Sequence, residues 1–191
     1  MQTLRRQIRK QRRSLSSYQQ AQAETRALNQ LRRLNQYQTA QHIGIYLDAF
    51  GEIRTKKIIE MAFTHGKQVY LPVVCNMSQK LVWVEISQHQ YRSKRFANHI
   101  LGMQEPRKSR GFHVAKLDLL VMPLLACDEF GTRIGMGGGF YDRTLANSPR
   151  KPYRLGLAHD FQFLNIQLER QTWDQPLDAL LTPSKLHRFK R

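Results

Sequence analysis

The chain has 191 residues, 41% of them hydrophobic, and carries 31 Lys+Arg against 14 Asp+Glu for a formal charge of +17. This length suits one domain with a sizeable core, and this apolar content excludes general disorder. The charge excess points to anionic partners, either a phosphorylated or polycarboxylate small molecule or a nucleic acid.

In chain order, residues 2–14 read as a helix with a narrow apolar stripe at Leu4 and Ile8, leading to Leu15. Arg5, Arg6, Arg9, Lys10, Arg12 and Arg13 crowd this segment. Ser16 or Ser17 offers a cap for a second helix carrying Ala21, Ala27, Leu28, Leu31 and Leu34. "HIGIYL" (42–47) is rich in β-branched and aromatic residues and predicts a strand, followed by the loop "DAFGEIRT". Thr55 is placed to cap a helix through "KKIIEMAFTHG", which Gly66 can end. "QVYLPVV" (68–74) and "LVWVEI" (81–86) read as strands. Residues 87–116 are polar, basic and poorly periodic, with Arg92, Lys94, Arg95, Arg107, Lys108 and Arg110 among them. "LDLLVMPLLAC" (117–127) has the continuous apolar character of a parallel strand covered on both faces. A glycine-rich loop and a helix within "GGFYDRTLAN" follow. "YRLGLAH" (153–159) and "LDALLTP" (177–183) are the last strands, and Lys185, Arg188, Lys190 and Arg191 form a basic tail. Strands alternating with helices predict an α/β fold with a mainly parallel central sheet.

No run is apolar for long enough to span a bilayer, and the basic N-terminal segment lacks the apolar core of a secretory signal. A cytoplasmic protein is therefore expected. Cys75 and Cys127 belong to no CxxC pattern, and both are expected to be buried, reduced thiols.

The chemistry is concentrated in "RIGMGGGFYDR" (133–143). A glycine run has a conformational cost, which a tight turn or a bound phosphate can justify. The loop follows a buried strand and precedes a helix, where ligands of open α/β sheets bind. Backbone N–H groups there can converge on phosphate oxygens. Arg133 and Arg143 bracket it with positive charge, and Asp142 can hold a Mg²⁺ that in turn holds phosphates. The loop lacks the Gly-Lys-Ser/Thr ending of a Walker A motif and misses the third spacing of the Rossmann fingerprint. Glu52 lies just after a strand end on the same rim and reads either as a solvated loop acid or as a carboxylate that accepts from the amino groups of a heterocycle. Asp178 sits between Leu177 and Ala179, where a charge needs a metal or a salt bridge. His159 ends another strand and reads either as a proton donor or as the cap of a turn.

Together, "RRSLS", "IYLDAFGEIRT", "YLPVV", "DLLVMPLLACDEFGTRIGMGGGFYDRTL" and "PLDALLTP" resemble the 5-formyltetrahydrofolate cyclo-ligase family, also called 5,10-methenyltetrahydrofolate synthetases. The likeness covers nearly the whole chain and is most specific around the glycines. It implies closure of 5-formyltetrahydrofolate to 5,10-methenyltetrahydrofolate with ATP and Mg²⁺, through a phosphorylated formyl group, releasing ADP and phosphate. It also implies an α/β sandwich of the ribose-phosphate isomerase and CoA-transferase group. One domain is expected over 1–191, with helices in 2–35 packed on the α/β core. Carried over by the resemblance, ATP would meet Arg5, Arg133, Ile134, Gly135, Met136, Gly137, Gly138, Gly139, Phe140 and Tyr141. The folate would meet Leu47, Glu52, Met136 and Gly137 to Phe140. Arg133 with Gly137, Gly138 and Gly139 would support catalysis, and Asp142 with Asp178 would hold the metal.

Three positions depart from the family pattern. Met1 stands where many members have Lys, which leaves a phosphate contact to Arg6 or Arg9. Met136 replaces a common Arg, and Phe140 a common Tyr. The expected partners are the two small molecules, with no membrane and no nucleic acid, and a monomer is expected. The rival reading is a basic RNA-binding protein in which the charge is the function. No RNP-type aromatic motif or zinc knuckle supports it. A third reading is a catalytically weakened, folate-binding member.

Overall fold

Strand β6 (Leu119–Pro123) explains how the sheet divides the core. Its side chains alternate between two faces. Leu119 and Val121 join one buried cluster, with Ile43, Ile45, Ile58 and Ile59. Leu120 and Met122 join the other, with Trp83, Leu117 and Leu145. A strand buried on both sides reads as unbroken apolar sequence, which is why this run stood out. The computed structural model describes residues 2–94, 96–98, 102, 104–107 and 110–190. Met1, Arg95, Lys108 and Arg191 lie outside the described residues.

The elements run α1 (Gln2–Arg13), α2 (Ser17–Leu31), α3 (Asn35–Thr39), β1 (His42–Gly44), α4 (Lys56–Thr64), β2 (Gln68–Cys75), β3 (Lys80–Ile86), α5 (Gln88–Arg92), β4 (Phe96–Asn98), β5 (Gln104–Pro106), β6, β7 (Ala126–Cys127), β8 (Arg133–Ile134), α6 (Phe140–Leu145), β9 (Tyr153–Leu157), β10 (Ala179–Leu181) and β11 (Leu186–Arg188). The main sheet has seven strands in the order β11-β10-β9-β6-β1-β2-β3. The five inner strands are parallel. The two edges, β3 and β11, are antiparallel to their neighbours. The α/β, mainly parallel reading therefore describes the sheet.

Local chemistry sets the boundaries. Ser16 caps α2 in a reciprocal box with Gln19, so two orphan donors are satisfied at once. The buried face of α2 is Gln20, Ala23, Glu24, Ala27 and Leu31; of the expected stripe Ala27, Leu31 and Leu34 are buried and Leu28 packs against the core, while Ala21 is only half-buried. Thr55 stands at the N-cap of α4 but makes no side-chain cap. Its hydroxyl instead donates to Tyr46 O at 2.9 Å and approaches Asp48 Oδ1 at 3.1 Å, tying the helix start to the loop after β1. Gly66 has φ 67° just past the end of α4, the left-handed conformation common there.

Several expectations are corrected. The expected strand at 42–47 is paired in the sheet only as His42–Gly44. The apolar run 117–127 is two elements: β6 ends at Pro123, and Ala126–Cys127 forms a separate antiparallel pair with Arg133–Ile134. Hydrophobicity alone could not reveal that turn. The polar stretch 87–116 contains the capped helix α5 and a β4–β5 pair, both too short to show a period. Strand β11 was also not expected. Cys127 is buried, but Cys75 is only half-buried; both are free thiols.

Candidate functional site

The strand ends open onto a cavity of about 1090 Å³. Tyr46 and Leu47 after β1, Pro72 and Val74 of β2, and Pro123 and Leu124 at the end of β6 line it. This is the carboxyl rim of the parallel sheet, where an α/β fold offers its crevice. The whole loop from Arg133 to Arg143 lines it too, with Glu52 and Arg5. The structure thus gathers Arg5, Leu47, Glu52, Arg133, Ile134, Gly135, Met136, Gly137, Gly138, Gly139, Phe140, Tyr141 and Asp142 around one space.

The glycine loop is shaped for close approach. Gly137 has φ 107° and Gly139, at the start of α6, has φ 64°. L residues rarely adopt these angles. A Cβ on Gly137 would meet nothing within 4 Å, so the backbone there is bare toward open space. The N–H groups of Gly137, Gly138 and Gly139 donate to no other described residue. Three unsatisfied donors beside a cavity make an acceptor-binding surface.

Arginines surround the loop. Arg5 Nε donates to Gly135 O at 3.3 Å and Arg9 Nη2 to Met136 O at 3.3 Å. Arg9 therefore reaches the loop, whereas Arg6 is exposed. Arg143 Nη2 donates to Gly138 O at 2.6 Å, and its guanidinium lies 5.2 Å from the Phe140 ring centre. Arg133 Nη2 donates to Asp142 Oδ1 at 2.8 Å. Arg133 also lies over Tyr141 at 5.6 Å, and its buried Nε has no partner.

Asp142 Oδ1 also accepts from Gln175 N at 3.1 Å, while Oδ2 accepts no hydrogen bond among the described residues. A carboxylate with one oxygen pinned and one open suits a hydrated cation shared with phosphates, since Mg²⁺ takes few protein ligands in such sites. Asp178 is placed differently. It precedes β10 at the amino end of the strands, its Oδ2 accepts from Arg154 N at 2.7 Å, and it does not line the cavity. The structure therefore does not join Asp142 and Asp178 in one metal centre. No group of three or more His, Cys, Asp or Glu suited to a metal occurs among the described residues.

Glu52 is held at the back of the cavity. Its Oε2 accepts from Ala49 N at 3.0 Å, and its Oε1 lies 3.6 Å from Arg12 Nη1. Burial pushes its pKa from 4.5 up to about 7, with Arg12 opposing. Gly51 O accepts from Gln20 Nε2 at 3.2 Å and from His159 Nε2 at 3.1 Å, which fixes the loop. His159 is buried at the start of a single helical turn and its pKa is lowered chiefly by burial. It serves as a brace, not as a proton donor to the cavity.

Sequence reasoning missed Arg12 and the far lip of the cavity. Arg12 is 1% exposed and leaves Nε and Nη2 without partners. Its signal was its spacing: Arg5, Ile8, Arg9 and Arg12 fall on one helical face. Glu169, Gln171, Trp173 and Asp174 form the lip. There the readable signal was a lone tryptophan in the polar run "LERQTWDQP".

A model of the 5-formyltetrahydrofolate cyclo-ligase family matches residues 1–183. The 5-formyltetrahydrofolate cyclo-ligase of Escherichia coli K12 is 37% identical over 183 residues, 94% of this chain and 98% of that protein. The Haemophilus influenzae enzyme of the same name is 34% identical over 190 residues, 94% of this chain and 96% of that protein. Among solved structures, Aquifex aeolicus 5,10-methenyltetrahydrofolate synthetase superposes with TM-score 0.83 at 24% identity, covering 100% of this chain and 93% of that one. A synthetase of that name from Mycoplasma pneumoniae gives TM-score 0.74 at 19% identity, covering 95% and 98%. The structural likeness speaks for the fold, and the sequence relatives for the family.

Proposed function

Because the chain belongs to the 5-formyltetrahydrofolate cyclo-ligase family and is an enzyme of that kind, we propose that its cavity uses ATP and Mg²⁺ to close 5-formyltetrahydrofolate into 5,10-methenyltetrahydrofolate. The observation that carries this reading is the glycine loop. Gly137, Gly138 and Gly139, whose N–H groups donate to no other described residue, line the same cavity as Arg5, Arg133, Arg143 and Glu52.

The chemical problem is a formamide, whose carbonyl is a poor electrophile and whose oxygen is a poor leaving group. The formyl oxygen attacks the γ-phosphorus and ADP leaves. N10 of the same folate then attacks the activated carbon, a ring closure favoured by proximity. The C–O bond breaks, phosphate leaves with the former formyl oxygen, and N10 gives up its proton. The protein's part is positioning and charge stabilisation. The loop N–H groups and Arg5 hold phosphate oxygens, and the Arg133 guanidinium adds positive charge beside them. Glu52 accepts from the amino groups of the pterin, with Leu47, Phe140 and Tyr141 as walls. Asp142 is the residue that would hold Mg²⁺, whose charge offsets that of the phosphates.

Two measurements test this reading. With ¹⁸O in the formyl group, the label is expected in the released phosphate; label found in water instead would exclude phosphorylation of that oxygen. Asp142→Asn is expected to raise the Mg²⁺ concentration needed for half-maximal rate at least about tenfold, the loss of roughly one charge-assisted contact. An unchanged Mg²⁺ dependence would remove Asp142 from the metal site.

A further inference from the structure

Arg12 stands behind the cavity wall, not in it. Its side chain is fully buried and does not line the cavity, whereas Glu52 does. Arg12 Nη1 donates to Leu124 O at 3.4 Å and lies 3.6 Å from Glu52 Oε1. Its Nε and Nη2 have no partner among the described residues. The backbone around this pair is fixed. Gly51 has φ 77°, and a Cβ there would meet Arg12 O at 2.7 Å. The loop can therefore lie against α1 only with glycine at that position. Gln20 and His159 both donate to Gly51 O, and Ala49 N donates to the second oxygen of Glu52 at 3.0 Å. A buried guanidinium is costly unless it is paired. Here its carboxylate partner is a group that faces the ligand space.

The other groups around the pair supply no countercharge to Glu52. Asp48, in the same loop, repels it. Tyr46 beside it and Tyr141 of α6 stay neutral, since burial raises both phenols. Arg9, on the same helix, faces Arg12 and repels it. His159 also faces Arg12, and burial lowers its pKa, which keeps that ring neutral. We propose that Arg12 is a positioning residue for the folate: acting through Glu52 from behind the wall, it keeps that carboxylate charged and aimed into the cavity, where it accepts from ring N–H groups of the substrate. The inference rests on the folate binding in this cavity, as proposed above. A neutral Glu52 would carry an O–H of its own and lose acceptor capacity. Burial holds the Glu52 pKa at about 7 against the pull of Arg12. The free protein near neutral pH therefore keeps part of a proton there, and binding that demands the charged form expels it.

Calorimetry of 5-formyltetrahydrofolate binding to the whole protein, repeated at neutral pH in buffers of different ionisation enthalpy, counts that proton. The parent is expected to release about half a proton per folate bound. Arg12→Met is expected to release nearly one and to bind the folate about fivefold or more weakly, because an opposite charge at this distance moves a carboxylate by about 1 to 3 pH units. Its affinity should approach that of the parent as the pH is raised. Binding of MgATP should be unchanged, which also shows that the variant is folded. Arg12→Lys, which keeps the charge, should keep the proton count of the parent. No proton released by the parent would overturn the proposal without any variant. Equal proton counts in the parent and Arg12→Met would overturn it too, as would equal weakening of folate and MgATP, the mark of a role in the fold alone. In each of these cases the cyclo-ligase reading stands. Failure of the folate to bind the parent protein would overturn both readings.

Discussion

Glu52 and Arg12 occupy a position where burial and pairing oppose each other. Removing water from the carboxylate raises its pKa to about 7, and the Arg12 guanidinium pulls in the other direction. Burial also lowers the Arg12 pKa, yet an arginine keeps its charge through neutral pH. A folded-state pKa above the ordinary 4.5 means that the folded protein binds the proton more tightly. Stability from this group is present below pH 4.5 and lost as pH rises through about 7. Glu52→Gln is therefore expected to flatten the dependence of thermal midpoint on pH across that window. Parallel curves for parent and variant would show that Glu52 titrates normally. Arg12→Met alone leaves a buried carboxylate without its partner and is expected to cost about 3 to 5 kcal/mol. Adding Glu52→Gln should recover much of that loss in denaturant titrations. A double variant no more stable than the single one would separate the two side chains.

At the scale of elements, α1 is the part that carries the arginines to the site. It is seated by Ile8, buried with Leu125, Ala126, Ile134 and Leu168. Two of those neighbours flank the turn after β6, and Ile134 opens the glycine loop. Ile8→Ala should cost about 2 to 5 kcal/mol as a cavity-forming change. Because Arg5 and Arg9 contact the loop from the same face, it should also raise the KM for ATP more than that for the folate. Equal changes in both constants would mean that α1 only supports the fold. Much of this element was legible. The Ser16 cap, the alternation of strands and helices, and the loop joining β8 to α6 all have local signals. At the end of β6 the local signal is Pro123 itself, which cannot donate to a ladder; hydrophobicity does not show it, because the residues on both sides are equally apolar, and the bend is held by a distant partner: Gln162 Nε2 donates to Leu124 O at 2.8 Å and to Leu125 O at 3.0 Å. Asp178 illustrates the same limit at the site. Its neighbours in sequence indicate a partner, but only the sheet places that partner at the backbone of β9. Trp173 was missed because a lone exposed ring has no period, and its meaning comes from the cavity it faces.

For the whole molecule, the charge of +17 is spread over the first helix, the middle and the tail. Only part of it, Arg5, Arg133 and Arg143, lines the cavity. A surface charge of this sign is expected to concentrate anionic ligands, an effect that weakens with salt. The apparent KM for both ATP and polyglutamylated folate is expected to rise between low and physiological ionic strength, with kcat nearly constant. A KM indifferent to salt would confine the electrostatics to direct contacts. No described helix is long and apolar enough to cross a membrane. The main sheet brings the ends of β1, β2 and β6 to one rim, and this convergence makes a single cavity from segments far apart in sequence. In the function proposed above, this cavity joins ATP and a formyl-folate in one reaction. Its most direct test is the absorbance of the methenyl-folate band after mixing the protein with 5-formyltetrahydrofolate, ATP and Mg²⁺, and again with each omitted. A rise that requires all three is expected. No rise from folded protein with ATP bound, or a rise that persists without ATP, would contradict it.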